Sequence, residues 1–176
     1  MDGIKSIQWG RTHEKNGLEF LKEYMKLNVN PTGIWISRSG LLGASPDGLV
    51  GDNEIVEIKC PYTFRNDNLT ERLKTTTNYI ISSNERGEIT LNENHNYFHQ
   101  IQGNLYLTNR KKCYLCIWTI KEIICIEVDR DPLWAQNIIL LENFYFNKYL
   151  PKLLEKSFFL SFYFFLSQVI PRRLKA

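Results

Sequence analysis

The chain has no second Cys-x-x-Cys, no ligand-spaced histidine pair and no HExxH. Those absences close the usual routes to a zinc site. His13-Glu14 begins the protease signature, but glycine stands at 17 where it needs histidine. The single CxxC, Cys113 to Cys116, lies among β-branched and aromatic residues that read as a strand. Strand positions three apart face opposite sides, so its sulfurs do not share a metal. Cys60, Cys113, Cys116 and Cys125 are therefore expected to be buried structural cysteines. No excess of one charge exists either: 22 basic against 19 acidic residues leaves +3. That is too little to argue for a polyanionic partner alone, although a groove can still be locally basic. An N-terminal signal peptide is missing, from which an intracellular, reducing compartment is expected, nuclear or cytoplasmic left open.

What is present is ordinary for a folded domain: 43% hydrophobic and 23% charged residues in 176. The most informative stretch is Ser45-Pro46-Asp47-Gly48 followed by Glu57-Ile58-Lys59. Gly51, Asp52 and Asn53 form a turn between short apolar flanks, Leu41–Ala44 and Ile55–Ile58, expected as strands. Folding there brings Asp47 to the second strand. Alternation puts Glu57 and Lys59 on one face, with Val56 and Ile58 in the opposite layer. Two carboxylates and an ammonium then converge. Oxygen ligands of this kind suit Mg²⁺ or Mn²⁺, which hold phosphate oxygens and activate water. A lone E-x-K would be better read as a surface ion pair contributing about 0–1 kcal/mol.

The whole string is more specific. Gly43-Ala44-Ser45-Pro46-Asp47-Gly48, with nine residues between Asp47 and Glu57, ends in Glu57-Ile58-Lys59-Cys60-Pro61-Tyr62. It resembles the PD-(D/E)xK nuclease superfamily, and within it the lambda exonuclease and YqaJ-type viral recombinase group. The resemblance covers Trp9 to Leu154. It implies a restriction-endonuclease-like α/β core, a central mixed sheet flanked by helices. It also implies a Mg²⁺-dependent (or Mn²⁺-dependent) deoxyribonuclease, an exonuclease acting in recombination or end processing, with DNA as partner. The alternative from another class is a catalytically silent nucleic-acid-binding module of the same fold.

Site residues follow from the same resemblance. Asp47, Glu57 and the Ile58 backbone carbonyl would ligate the ion, and Glu14 would complete the site or help to hold a second ion. Lys59 would stand beside the attacking water, Gln100 would align either, and Ser45 and Tyr97 would contact substrate. Glu14 continues the apolar stripe of a helix expected from Gly10 to Lys26 (Leu18, Leu21, Met25). Its plain reading is a first-turn acid favoured by the helix dipole. A second helix is expected from Asn96 to Leu107 on Phe98, Ile101 and Leu105, with Gln102 turned away from Gln100 and His99 structural. Strands are expected at 112–119 and 123–129 around a Lys121-Glu122 turn. Asp131-Pro132 then opens a last helix whose Trp134, Ile138, Leu141, Phe144 and Tyr145 supply core contacts. Arg110-Lys111-Lys112 reads as a solvated turn. Residues 63–95 form a polar excursion with a helical turn near Thr70 to Lys74 and a strand at Ile89 to Leu91. Its Arg65, Arg72 and Lys74 read as exposed cations rather than phosphate contacts.

Both ends depart from the family. Its members carry an arginine-bearing segment before the first helix, whereas this chain begins eight residues before Trp9. Exonuclease polarity is therefore not legible. The nuclease domain is expected over 1–156, followed by a hydrophobic tail over 157–176. Ser157 to Ile170 is fourteen residues, short of the ~20 that span a bilayer, so no membrane partner is assigned. An artefactual or poorly ordered tail is the favoured reading. Lambda exonuclease is a ring-shaped trimer, which leaves homo-oligomerisation open here.

Overall fold

The computed structural model describes residues 2–84 and 86–155; the tail from 157 onward lies outside them. One compact unit runs through Trp134 and a second begins at Ala135, a division inside the expected 1–156 domain.

The first unit is built on a five-stranded mixed sheet, order β1-β4-β5-β8-β9. Its members are β1 (Val29–Asn30), β4 (Gly48–Val50), β5 (Glu54–Lys59), β8 (Lys112–Trp118) and β9 (Ile123–Asp129). β5 and β8 run parallel, and the other pairings are antiparallel. Two small pairs flank it: β2 (Trp35–Ile36) with β3 (Gly43–Ala44), and β6 (Ile81–Ser83) with β7 (Ile89–Leu91). Helix α1 (Asp2–Glu23) serves one face, where Leu21 packs with Val29, Val56, Ile58 and Cys116. Helix α3 (Asn96–Leu107) serves the other, where Ile101 and Leu105 meet Ile55, Cys113, Leu115 and Ile117. The strand period of two sorts β5 and β8 into these layers. Cys113 and Cys116 accordingly face opposite sides, as expected.

Several expectations need correction. The Leu41–Ala44 flank is not the hairpin partner of β5. Pro46, lacking an N–H, interrupts the chain after Ala44, and Gly48–Val50 pairs with β5 instead. Helix α1 begins at Asp2 and ends at Glu23, so Met25 lies beyond it and is exposed. Lys26 adopts φ 56, the chain reverses, and Leu27 takes the packing position. Arg110 is buried rather than solvated: Nη1 donates to the carbonyls of Val50, Gly51 and Glu54. It thereby satisfies the backbone of the turn that carries β4 into β5. Cys116 and Cys125, opposite each other on β8 and β9, form a disulfide, a pairing the strand reading did not anticipate.

The excursion matches its reading: α2 (Leu69–Leu73), capped by the Asn68 side chain, and β7. Arg65, Arg72 and Lys74 are engaged with Tyr62, Asp67 and Glu71 respectively. After Asp131, whose Oδ1 accepts from Leu133 N (2.8 Å), a 3-10 turn at Pro132–Ala135 buries Trp134. In the second unit α4 (Gln136–Phe144) buries no side chain. Leu141 and Phe144 are exposed there, contrary to the core role expected for them.

Candidate active site

The site forms where β5 outruns β4. Gly48 pairs with Val56, and Asp47 N still donates to Val56 O (3.0 Å), but beyond that β4 has no further residue for β5. The Asp47 side chain replaces it: Oδ2 accepts from Ile58 N at 2.6 Å. A residue's N–H and C=O point to the same strand edge, so the Ile58 carbonyl faces the side on which Asp47 sits. Glycine at 48 lets β1 pack closely on β4, since a Cβ there would stand 2.4 Å from Val29 Cγ1.

Glu57 and Lys59 project to the α3 side. Lys59 Nζ lies 2.5 Å from Glu57 Oε1, 3.2 Å from Gln100 Oε1 and 4.3 Å from the Tyr97 ring centroid. Gln100 Nε2 donates to Glu57 Oε1 (2.9 Å), and Asn104 Nδ2 to Glu57 Oε2 (3.1 Å). Residues 97, 100 and 104 are one helical stripe at spacings of three and four. That spacing was the available signal for Asn104, which the sequence reading passed over. Gln102 points elsewhere, holding Asp129 O and Asp131 N, while His99 Nδ1 accepts from Trp134 Nε1. Both were expected to be off the site.

Glu14 arrives from the opposite layer. Gly17, one turn on, presses against β5 so closely that a Cβ would stand 2.6 Å from Ile58 Cγ2. This contact brings the Glu14 carboxylate within electrostatic reach of Asp47 and Lys59. Upstream, Trp9 and His13 stack at 3.7 Å, and His13 meets Trp118 at 5.0 Å, seating the helix against the end of β8. Ser45 is exposed and makes no contact that assigns it a role.

The electrostatics are those of crowded acids. Burial, then the neighbouring Asp47, raises the Glu14 proton affinity, with Lys59 opposing. Burial likewise raises Asp47, against the Ile58 N–H and Lys59. Glu57, 2% exposed, is pushed up to about 7 by burial, which Lys59 resists and Asp47 reinforces. Burial pulls the Lys59 ammonium down, but the Glu57 charge and hydrogen bond, with Tyr97 and Asp47, outweigh it and raise the net value. Lys59 is thus a fixed cation.

Among the described residues, no three His, Cys, Asp or Glu side chains are gathered tightly enough to chelate an ion as they stand. The donor set nevertheless fits a hard divalent cation. The Asp47 charge raises the cost of ionising Glu57 and Glu14, and each carboxylate retains lone pairs beyond the one hydrogen bond that Asp47 accepts and the three that Glu57 accepts. Beside the site opens a cleft of about 730 Å³, bounded by Arg11 and Glu14 on one side and by Lys59, Tyr62, Tyr79 and Tyr97 on the other.

A family model of the YqaJ-like viral recombinase domain matches residues 2–111. The fold is similar to that of an alkaline exonuclease, LHK-Exo, from Laribacter hongkongensis. The two are 23% identical with a TM-score of 0.63, over 88% of this chain and 75% of that one. The same enzyme in complex with dAMP aligns over 89% and 75%. A phage related exonuclease from Haemophilus somnus 129PT is similar in fold, with TM-score 0.56 and 13% identity over 85% of this chain and 74% of that one. No curated protein matches the chain. With the family model spanning more than half its length, the chain belongs to the YqaJ-like viral recombinase domain family.

Proposed function

We propose that this protein is a divalent-metal-dependent deoxyribonuclease that processes DNA ends. The observation that carries the reading is the meeting of Asp47, Glu57 and Lys59 at the open end of β5, with Glu14 and Gln100 closing on them from opposite layers. Exonuclease neighbours in fold and the YqaJ-like domain support it.

Asp47, Glu57 and the Ile58 carbonyl would hold Mg²⁺ or Mn²⁺, with Glu14 completing the set. When bound, such an ion neutralises phosphate charge and makes a water nucleophilic at neutral pH. The chain's own residues do the rest. Lys59, held cationic, orients the attacking water and stabilises charge growing on the phosphate oxygens without occupying a ligand position. Gln100 spans Lys59 and Glu57, fixing their separation. Asn104 anchors the second Glu57 oxygen, so that carboxylate cannot rotate away from the cleft. Tyr97 places its ring under the ammonium.

The test is a cleavage assay on end-labelled linear, nicked and closed circular duplex DNA with Mg²⁺. Metal-dependent release of nucleotides from the linear and nicked forms, with the closed circle spared, is expected. Cutting of the closed circle would make the protein an endonuclease. No cleavage of any form in Mg²⁺ or Mn²⁺ would end the reading.

A further inference from the structure

Strand β9 is the edge of the main sheet, with no strand bonded beyond it. Thr119 N donates to Glu122 O (2.8 Å) at one end of its pairing with β8, and Arg130 N to Lys111 O (2.8 Å) at the other. Hydrogen-bonded pairs recur at every second residue of an antiparallel ladder. Ile124, Ile126 and Val128 therefore bond to β8, while Ile123, Cys125, Glu127 and Asp129 turn their N–H and C=O groups outward. Gln102 covers the far end of this outward row. Its Nε2 donates to Asp129 O (3.0 Å), and its Oε1 accepts from Asp131 N (2.9 Å). Among the described residues, no strand or side chain does the same for Ile123, Cys125 and Glu127. A bare row of this kind is a template for another chain.

Two further features lie along this edge. Ile89 and Leu91 of β7, Phe98 of α3 and Val128 of β9 wall a cavity of about 420 Å³ beside it. That cavity shares no residue with the cleft at the open end of β5. Its surroundings are acidic: Glu93, Glu127, Asp129 and Asp131 stand against two cations, Lys112 and Arg130. Lys112 is paired with Glu127, and Arg130 lies over the Tyr106 ring at 5.2 Å and donates to Asn109 Oδ1 (3.3 Å). Acids are left in excess.

We propose that the outer edge of β9 receives an extended basic segment of a partner protein as an added strand. The outward groups of Ile123, Cys125 and Glu127 supply the main-chain hydrogen bonds, and alternate side chains supply the selectivity. Pleating sends every second residue of the segment to the cavity side, where apolar groups fit, and the rest to the face of Glu127 and Asp129, where lysine or arginine is complementary. A second copy of β9 would bring the same acids to the same edge and gain no such complementarity. The partner would be held while the β5 cleft stays open, and the proposal stands apart from the nuclease reading.

The probe is a fluorescein-labelled heptapeptide alternating lysine with valine, titrated with the full chain and followed by anisotropy. Saturable binding is expected, and the same peptide with glutamate for lysine should bind at least about tenfold more weakly. A strand has two hydrogen-bonding edges. Methylating the backbone nitrogens of the lysines, or else those of the valines, should therefore abolish binding for one of the two peptides. Both methylated peptides binding with the parent's affinity would mean attraction by charge alone and overturn the added strand. In the protein, Glu127→Pro removes an outward N–H and a carboxylate but spares the ladder to β8, so the fold is kept. Affinity should fall by about tenfold, and by less in Glu127→Gln, which keeps the backbone donor. Undiminished affinity in Glu127→Pro overturns the proposal. So does binding that disappears in Asp47→Ala, since the peptide would then sit on the acids of the metal site. A dimer of the protein alone in sedimentation, dissolved by Glu127→Pro, would give the edge to a second copy and overturn it too. None of these readouts depends on turnover.

Discussion

Gly17 of α1 lies against Ile58 of β5 so closely that a Cβ on the glycine would stand 2.6 Å from Ile58 Cγ2. That one contact joins the two layers of the site, since Ile58 lies between Glu57 and Lys59 in β5 and Gly17 lies one turn from Glu14. Ile58 is 6% exposed and β-branched, so its methyl cannot swing aside. Gly17→Ala should therefore destabilise the protein by about 1–2 kcal/mol through overpacking, despite the ~1 kcal/mol that alanine gains over glycine in a helix. In an Ile58→Ala background the clash disappears and the same change should become stabilising. Chemical denaturation of the four proteins measures this sign reversal. Additive effects would show that the helix has room to spare.

Asp47→Ala should abolish metal-dependent cleavage while leaving a folded protein. Its Oδ2 holds one backbone N–H, which water can replace at this open strand end. Its charge also raises the proton affinity of Glu14 and of Glu57. Removing it relieves that repulsion, so the metal-free variant should be as stable as the parent at pH 7 or slightly more so. Wild-type turnover in the purified variant would remove Asp47 from the site.

Much of this arrangement was legible because it obeys short periods. A period of two placed Glu57 and Lys59 together, and a period of 3.6 delimited Asn96–Leu107 and set Gln100 apart from Gln102. What escaped depends on chain segments meeting in space. Gly17 carries no pattern of its own. Arg110 looked like part of a charge run, yet its partners are three carbonyls about 60 positions earlier in the chain. The disulfide was hidden by a small error of register. A two-residue turn at Lys121-Glu122 would set Cys116 opposite Glu127. The loop instead runs from Thr119 to Glu122, closed by Thr119 N donating to Glu122 O at 2.8 Å, and Cys116 meets Cys125.

Asn104→Leu keeps the side-chain volume and removes the donor to Glu57 Oε2. Glu57, already raised to about 7, then loses a bond that favours its charged form. At neutral pH it becomes more protonated and a poorer oxygen ligand. Mg²⁺ affinity should fall by about tenfold, from the ~1.5–3 kcal/mol of a hydrogen bond to a charged group less partial compensation. The loss should shrink as pH rises past the shifted titration. A fold-only role predicts reduced stability with unaltered metal affinity, and calorimetric titration at pH 6.5 and 8.5 separates the two.

Cys60 reports the charge of the site without requiring turnover. Its thiol is pushed up to about 12, first by burial and then by the charges of Glu14 and Asp47. Saturating Mg²⁺ or Ca²⁺ should offset those charges and lower the value; half a unit already raises the thiolate fraction about threefold. Alkylation by iodoacetamide at pH 9 should therefore accelerate with metal. In Asp47→Ala it should be faster without metal and respond less to it. A rate indifferent to both cations would mean that no ion binds beside Glu14 and Asp47.

Lys59→Ala separates an enzyme from a module that only binds. The ammonium is one of several cationic groups near the cleft, and one phosphate contact carries little of the total affinity for a polyanion. Its place beside Glu57 and Gln100, however, is where the proposed reaction would orient the attacking water. Loss of Lys59 should appear in the chemical step, with kcat down by at least about a hundredfold, a usual scale for positioned proton-handling groups. DNA affinity in Ca²⁺ should stay within a few-fold. Gln100→Ala should lower kcat less, since Glu57 still holds the ammonium at 2.5 Å. A silent binding module reverses the pattern: nothing is lost in turnover, and affinity falls with each removed cation, Arg11 and Lys59 alike. The paired measurement is single-turnover cleavage of linear duplex in Mg²⁺ and equilibrium binding in Ca²⁺. An inactive parent protein that binds DNA tightly in both metals would leave the module standing and the hydrolytic role of Lys59 refuted.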